Sequence, residues 1–351
     1  MADSSLRIDV LTGRQVIVAP HRGLRPGARN VDPILADPSR GNPFLHGKES
    51  ETPGEKLALR RTDTRPNELG WLVRVVPNQY PVVFTDEDIS TPTGNGLLRT
   101  MPVFGIHEVV IESPTPHRRL SELSAAETAR VLLAWQLRVR DLERRPGIQS
   151  ITVFRNEGFS AGASLPHVHS QILALNTISP QTTVRVQRSI SHRRKFGTSL
   201  LNDLCKEELT AGRRIVSAES GCLVMCPFAG RVSWQVRIVP QRSARESFSR
   251  CSESDLINIA GVLHAATTAI DECAGKMAVN VLLVQPPVSD ESDSWFLELM
   301  PRSARMAGYE LATDVDIVAV APESAADLLR AAFRHAAPRP TDVVPFGYEW
   351  R

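Results

Sequence analysis

A repeated order of secondary-structure patterns constrains the fold of this chain more than any other feature. An apolar extended segment, an amphipathic helix and two further strands separated by a loop occur twice in the same order. The offset is 127 residues, and the equivalent pairs are Val109 and Val236, Leu132 and Ile259, and His169 and Phe296. Equal spacing predicts two copies of one αβ unit. We therefore expect an α+β fold of two fused units, with mainly antiparallel sheets and packed helices.

The helices of the two copies are marked by caps and by apolar residues at helical spacing. Ser124 and Glu127 form a capping-box pattern ahead of the first apolar stripe, and a second amphipathic segment runs from Ser252 to Gly275. Trp135 lies on the first stripe, which favours packing over base stacking. We place the catalytic half at residues 1–185 and a degenerate half at residues 186–351.

Composition excludes several classes of partner. Lys and Arg number 41 against 39 Asp and Glu, so no overall field favours nucleic acid or a membrane surface. The basic run at residues 191–195 has no interleaved aromatic residues and is predicted to be a solvated linker. Five cysteines, no apolar signal core and no membrane-length apolar run predict a cytoplasmic protein without a disulfide framework.

The stretch from 151 to 175 carries the chemistry. It is predicted to be a strand, a loop marked by Gly158 and Gly162, and a second strand. Because alternate side chains of a strand share a face, His167, His169 and Gln171 are expected to point the same way.

This arrangement suits chemistry at phosphorus. Loop amides left free by the glycines, together with the Ser164 hydroxyl, are expected to bind phosphate oxygens. A neutral His169 imidazole is a nucleophile toward phosphorus, and Gln171 can donate to the phosphoryl oxygens. From the triplet alone, a metal-binding pair or two surface histidines remain the alternatives.

The surrounding residues resemble a known family. Asn156-x-Gly158, Ala161-Gly162-x-Ser164 and His167-x-His169-x-Gln171 are similar to the signature of the histidine-triad superfamily, specifically its galactose-1-phosphate uridylyltransferase branch. Val168 stands where that branch usually has proline. The resemblance covers nearly the whole chain and implies a homodimer in which only the first half is catalytic. It also implies that Asn156 and Gly162 belong to the substrate site.

The resemblance assigns further substrate contacts in the first half. Arg22 and Arg25 match arginines that contact substrate phosphates, and Asn78 matches a nucleotide-contacting position. Without the resemblance, solvated loop arginines and an asparagine that holds a proline-flanked turn explain these residues.

The zinc knuckle of the family is altered here. The family joins two cysteines to histidines matching His117 and His167, but the cysteine positions hold Asn42 and Leu45. Leucine cannot ligate, and a neutral amide oxygen replaces a thiolate poorly. We expect a remnant site without metal, in which the histidines hydrogen-bond to each other or to Asn42.

The second half has lost its histidines. Ser294, Phe296 and Glu298 occupy the positions of the histidines and glutamine, so neither catalysis nor an iron site built from histidines is expected there. Cys222 and Cys226 have a spacing unlike a zinc knuckle and are predicted to be buried packing residues.

The resulting hypothesis is nucleotidyl transfer by double displacement. His169 would take a nucleoside monophosphate from a nucleoside diphosphate sugar and pass it to a sugar 1-phosphate. A phosphorylase that uses inorganic phosphate, a hydrolase, and a nucleotide-sugar binding protein without turnover are the alternatives.

Overall fold

The computed structural model describes residues 3–24, 41–61, 63–85, 97–241, 247–288, 290 and 294–337. Within them the strands are β1 (Ser5–Ile8), β2 (Gln15–Val18), β3 (Leu57–Arg60), β4 (Trp71–Pro77), β5 (Gly105–Ile111), β6 (Ser150–Glu157), β7 (His169–Leu175), β8 (Ile215–Ser217), β9 (Cys222–Met225), β10 (Val236–Pro240), β11 (Val279–Val284), β12 (Phe296–Pro301) and β13 (Asp316–Val318). The helices are α1 (Ala125–Leu142), α2 (Pro180–Phe196), α3 (Leu200–Ala211), α4 (Glu253–Ala274), α5 (Gly308–Thr313) and α6 (Pro322–Ala336).

Ten of the described strands form one sheet in the order β3-β4-β5-β7-β6-β11-β12-β10-β9-β8. Each repeat supplies five strands in the same topology, and β6 and β11 join the repeats as antiparallel neighbours. All pairings in this sheet are antiparallel. The predicted α+β fold of two fused units is confirmed.

The strand register corrects the uniform offset of 127. Gln171 lies opposite Val109, and its equivalent Glu298 lies opposite Arg237, so β5 and β10 are related by 128 residues. The helix caps Ser124 and Ser252 are also 128 apart. The loop between the last two strands is therefore one residue shorter in the second repeat, and only β7 and β12 keep the offset of 127.

One face of the sheet packs on helices. Apolar residues of α1, α4 and α6 form a continuous core with the inward side chains of the central strands. Trp135 is buried, and its Nε1 donates to Ser170 Oγ at 2.7 Å, which confirms its packing role. Cys222 and Cys226 are buried as well, and burial raises the pKa of each thiol to about 12.

Helix α2 corrects the prediction for residues 191–195. The run is the last part of a helix that begins after the cap Ser179 with Pro180 in its first turn and ends at Gly197 in the left-handed conformation. The helix is polar on most sides, so the apolar period that marks α1 is absent. The predicted boundary between the two halves, at residues 185 and 186, falls within α2. The division into halves at this point remains a prediction.

A second, three-stranded sheet joins the two ends of the described chain. β1 pairs antiparallel with β2, and β2 pairs in parallel with β13. None of the helices in the described residues is long and apolar enough to span a bilayer.

Candidate active site

The first repeat places its polar residues on the sheet face opposite α1. Along β7, Ser170, Ile172 and Ala174 are buried on the helix side, while His169 and Gln171 lie on the other face. Phe154 of β6 is the cross-strand neighbour of Gln171, so Asn156, two residues further on, shares that face. The predicted alternation of side chains is confirmed.

His169 is held in one tautomer. Its Nδ1 donates to the carbonyl of His167 at 2.7 Å, which leaves the lone pair on Nε2. Burial lowers the pKa of His169 to about 4, and the charge of Arg155 adds to the shift. The imidazole is thus neutral at pH 7. Only 6% of the residue is accessible, and Phe44 lies over the ring at 5.4 Å between ring centroids.

A buried ionic cluster lies behind the histidines. Arg155 is ion-paired with Glu112 and with Glu157, at 2.9 Å from the latter. Arg119 links Glu157 to Asp271 of α4 at 3.0 and 2.5 Å. The carboxylates hold the Arg155 guanidinium, whose charge acts on His169, and the ion pair of Arg119 with Asp271 ties the first repeat to the helix of the second.

The remnant knuckle is closed by an amide. Asn42 Nδ2 donates to His167 Nδ1 at 2.8 Å, and His167 Nε2 donates to the Ser113 carbonyl at 2.7 Å. The Phe44 backbone N–H donates to Asn42 Oδ1 at 2.9 Å. In the described residues the His117 ring makes no hydrogen bond to this group: its Nδ1 lies 3.9 Å from Glu122 Oε2, and its charge contributes to lowering the pKa of His167. The predicted bond between the histidine and Asn42 is confirmed for His167.

The donor set does not suit zinc. In the described part of the chain, no group of three or more His, Cys, Asp or Glu side chains is arranged to hold a metal ion. Asn42 presents its N–H to His167, and Leu45 has no ligating atom. The pKa of His167 is lowered by burial, and both of its ring nitrogens are used by hydrogen bonds.

Gln171 is oriented by a residue that the sequence analysis missed. The Val82 N–H donates to His107 Nδ1 at 3.2 Å, so His107 carries its proton on Nε2 and donates to Gln171 Oε1 at 2.8 Å. Gln171 therefore turns its NH₂ group away from His107. A signal was present in the sequence, because His107 lies two residues before Val109 of the extended segment and therefore shares its face.

Asn78 belongs to the same cluster. Its Nδ2 lies 3.3 Å from His107 Nε2, and its Oδ1 accepts from the Tyr80 N–H at 2.9 Å. Asn78 thus holds the turn after β4. The same turn places the Asn78 side chain beside His107, the residue that orients Gln171.

The glycine loop corrects one expectation. Gly158 and Gly162 have φ angles of 84° and 90°, which side chains with a Cβ rarely adopt. The Gly162 N–H donates to the Phe159 carbonyl, and the Ala163 N–H donates to the Gly158 carbonyl. These amides are used inside the turn and are not free for phosphate. Ser164 is exposed, and neither its N–H nor its hydroxyl has a partner in the described residues.

The second repeat holds this loop from behind. Asn280 Nδ2 donates to Asn156 Oδ1 at 2.8 Å and to the Ala161 carbonyl at 2.9 Å. Arg302 Nε donates to Asn280 Oδ1 at 2.5 Å. Asn280 and Arg302 were not identified as site residues from the sequence, although Arg302 lies only four residues after Glu298.

The arginines near the N-terminus are not brought into this cluster. Arg22 lies in a 3-10 helix, Pro20–Leu24, beyond β2, where its side chain is exposed and contacts no described residue of the histidine cluster. Arg25 lies outside the described residues.

Comparison with known proteins gives consistent matches. A model of the galactose-1-phosphate uridyl transferase N-terminal domain matches residues 1–179, and a model of a domain of unknown function, DUF4921, matches residues 121–339. ADP-glucose phosphorylase of Arabidopsis thaliana is 29% identical over 333 residues, which cover 93% of this chain and 92% of that protein. Galactose-1-phosphate uridylyltransferase of Thermotoga maritima is 27% identical over 267 residues, 72% of this chain and 82% of that protein.

Solved structures of proteins with the same names are also similar to this chain. The crystal structure of ADP-glucose phosphorylase from Arabidopsis thaliana with bound ADP-glucose superimposes with a TM-score of 0.78 at 27% identity, over 93% of this chain and 99% of that one. A uridylyltransferase structure shares the fold with a TM-score of 0.72 at 24% identity, over 96% of this chain and 100% of that one.

Proposed function

This chain is an enzyme of the galactose-1-phosphate uridyl transferase family, and from that premise we propose that it transfers a nucleoside monophosphate through a nucleotidyl-His169 intermediate. The observation that carries the proposal is the hydrogen bond from His169 Nδ1 to the His167 carbonyl at 2.7 Å. It leaves the Nε2 lone pair available on an imidazole whose pKa, about 4, keeps it unprotonated at pH 7.

In the first step, Nε2 attacks the α-phosphorus of a nucleoside diphosphate sugar. The bond from that phosphorus to the bridging oxygen breaks, and sugar 1-phosphate leaves with the electron pair. The ring becomes cationic when Nε2 is bonded to phosphorus, and the His167 carbonyl accepts the Nδ1–H of this cation. The nearby charge of Arg155 opposes the cation, which keeps the intermediate reactive.

Two residues can donate hydrogen bonds to the phosphoryl oxygens as negative charge develops on them. The NH₂ group of Gln171 is directed by His107 and is a donor held in place before substrate arrives. The N–H and hydroxyl of Ser164 are further donors without partners in the described residues. In this proposal Asn78, Asn156 and the Gly162 turn shape the substrate site.

Arg22 and Arg25 neutralise the substrate's phosphates in this proposal, a role that rests on the resemblance of the segment after β2. The proposal also includes a homodimer and a cytoplasmic location.

In the second step a phosphate oxygen of the acceptor attacks the same phosphorus, and the bond from phosphorus to Nε2 breaks. We favour inorganic phosphate as the acceptor and an ADP-sugar as the donor, because the plant ADP-glucose phosphorylase matches this chain over 93% of its length. The products are then a nucleoside diphosphate and a free enzyme. The second candidate is transfer of uridylyl to a sugar 1-phosphate, which the matching family model and the bacterial uridylyltransferase favour.

The test is intact-mass spectrometry after incubation with UDP-, ADP- or GDP-hexose and no acceptor. We expect one nucleoside monophosphate to be added per chain, and its mass identifies the base. The labelled protein is then isolated and treated separately with inorganic phosphate, with a hexose 1-phosphate, or with buffer alone.

Loss of the label with phosphate and not with hexose 1-phosphate identifies a phosphorylase, and the reverse pattern identifies a hexose-1-phosphate transferase. Rapid loss in buffer identifies a hydrolase. His169→Ala is the negative control. A label that persists in His169→Ala would show that another residue is the nucleophile, and binding without any label would make the protein a nucleotide-sugar binder.

A further inference from the structure

The strands that join the two repeats carry a row of polar residues on the active-site face. The register of β6 and β7 pairs Arg155 with Ser170. One step further along the same register, Asn156 and His169 lie side by side. On its other edge β6 pairs with β11, and Asn156 lies opposite Asn280. A residue of the second repeat is therefore the cross-strand neighbour of a residue beside the proposed nucleophile.

A chain of hydrogen bonds runs from Arg302, directly after β12, to Asn156. Arg302 Nε donates to Asn280 Oδ1 at 2.5 Å. Asn280 Nδ2 then donates to Asn156 Oδ1 at 2.8 Å and to the Ala161 carbonyl at 2.9 Å. Because Asn280 is buried, these protein groups and not solvent decide how its amide is oriented.

The groups at the ends of this chain fix the direction of both amides. A side-chain amide can be turned over with little change in shape, so its partners decide which end is the oxygen. The Arg302 guanidinium can only donate, and the Ala161 carbonyl can only accept. Asn280 therefore has one favourable orientation, with its oxygen toward Arg302 and its NH₂ toward Asn156. The Asn156 atom that accepts this bond must be its oxygen.

The NH₂ group of Asn156 is consequently left for the substrate. In the described part of the chain, Asn156 Nδ2 donates to no protein group. A Cβ atom at Gly162 would lie 3.6 Å from this nitrogen, so the NH₂ group rests against the glycine turn. It is a donor that is oriented before substrate arrives, which is the property required of a group that stabilises developing charge.

Gln171 is oriented by the same principle. The Val82 backbone N–H can only donate, so it fixes the tautomer of His107, and His107 directs the Gln171 NH₂ group. Two amides beside His169 are thus each oriented by a donor-only group that lies further from the nucleophile. For Gln171 that group belongs to the first repeat, and for Asn156 it belongs to the second.

We propose that Asn280 and Arg302 are positioning residues, which keep the NH₂ group of Asn156 directed at the phosphoryl oxygens during nucleotidyl transfer. Their role rests on the proposed reaction at His169. The second repeat has Phe296 at the position equivalent to His169, and yet it takes part in the reaction by setting the direction of a donor in the first repeat.

The first test compares two uncharged replacements of Arg302. In Arg302→Gln the amide nitrogen is as many bonds from the backbone as Nε, so an N–H donor is retained. In Arg302→Met a methyl group takes that place, and Asn280 Oδ1 loses its donor. Both variants lack the guanidinium charge and its other contacts, so the difference between them reports the donor alone.

The measurement is the rate of nucleotidyl labelling against the concentration of ADP-glucose, or of UDP-glucose if that is the donor that labels the wild type. We expect the limiting rate of Arg302→Met to be about tenfold below that of Arg302→Gln. The half-saturating concentration should differ by less than about twofold, because the donor acts on charge that develops during the reaction. Equal limiting rates would overturn the role of Arg302.

The second test is a double-mutant cycle of Asn280→Asp and Asn156→Ala. Asn280→Asp keeps an oxygen for Arg302 and replaces the NH₂ group by a second oxygen, so Asn156 turns over and presents its own oxygen to the phosphoryl group. We expect labelling to slow by about 10²-fold. In the Asn156→Ala background the same change should slow labelling by less than about twofold, because no amide remains to be turned. A purely structural role, through the bond to Ala161, predicts equal slowing in both backgrounds.

The outcomes separate the positioning role from the proposed reaction. Absence of label on the wild-type protein with every nucleotide sugar is a failure of the reaction, and the positioning role fails with it. A labelled wild type with equal slowing by Asn280→Asp in both backgrounds, or with no slowing in either, leaves the reaction standing and overturns the positioning role alone. If Asn280→Asp does not fold, the two Arg302 variants decide the question.

Discussion

Asn42 offers the sharpest test of how the segment 41–52 supports His167 and strand β7. The side chain is 1% exposed and bridges the knuckle to β7 through His167 at 2.8 Å, while it accepts the Phe44 N–H at 2.9 Å. Asn42→Ala removes both bonds and leaves His167 Nδ1 buried without a donor. Two hydrogen bonds contribute about 1 kcal/mol each, and an unsatisfied buried acceptor costs about 1 kcal/mol more. We expect the free energy of unfolding to fall by about 3 kcal/mol.

The assay is urea unfolding at pH 7.5, with the rate of nucleotidyl labelling measured on the folded variant. Labelling should slow, because Phe44 packs on His169 and loses its anchor. Ser50→Ala is the matched control: this residue is exposed on the same segment and should unfold like the wild type. A change in stability of Asn42→Ala no larger than that of the control would refute the role of Asn42 as the bridge.

Four further outcomes follow from the geometry. The pKa of His169 is about 4 in the folded state and about 6.5 when unfolded, so only the unfolded state gains a proton between these values. The free energy of unfolding should therefore fall by about 3 kcal/mol as the pH drops from 6.5 to 4. In urea titrations of His169→Gln this pH-dependent loss should be absent, and identical pH profiles of the two proteins would contradict the lowered pKa of His169. Gln171→Ala should slow labelling by about 10²-fold and His107→Phe by about tenfold, measured by quenched-flow mass spectrometry; a normal rate in both would remove the proposed donor. Phe296→Ala should lower the free energy of unfolding by about 3–5 kcal/mol, because the ring is 3% exposed, and an unchanged melting temperature would contradict this. Prolonged treatment with a strong chelator should change neither the free energy of unfolding nor the rate of labelling. Release of one zinc ion per chain, accompanied by loss of stability or of labelling, would show that a metal site exists.

Local pattern was sufficient to predict the repeat and the strand that carries His169 and Gln171. The caps at Ser124 and Ser252, the apolar stripes behind them and the period of two at residues 167–171 are each properties of a few neighbouring residues. Local rules of this kind act before the chain is folded, so a single sequence displays them. The resemblance to the family implied that Asn42 and Leu45 stand at the cysteine positions of its zinc knuckle.

The two predictions that were wrong, a linker at residues 191–195 and a uniform offset of 127, also have local causes. Helix α2 has few apolar positions, so the signs of it in the sequence were its cap Ser179, Pro180 in its first turn and its terminal Gly197. The one-residue difference in offset arises from the loop before β12, where no pattern marks the shorter connection.

The sequence by itself determined the two-unit α+β architecture and the shared face of His169 and Gln171. Only the tertiary structure decided what surrounds them. His107 orients Gln171 from 64 residues away, and Asn280 holds the glycine loop from a different repeat. The physical reason is that strand order and register bring such residues together. Those quantities are set by packing of the whole sheet, and a side chain's neighbours across it cannot be read from its neighbours along the chain.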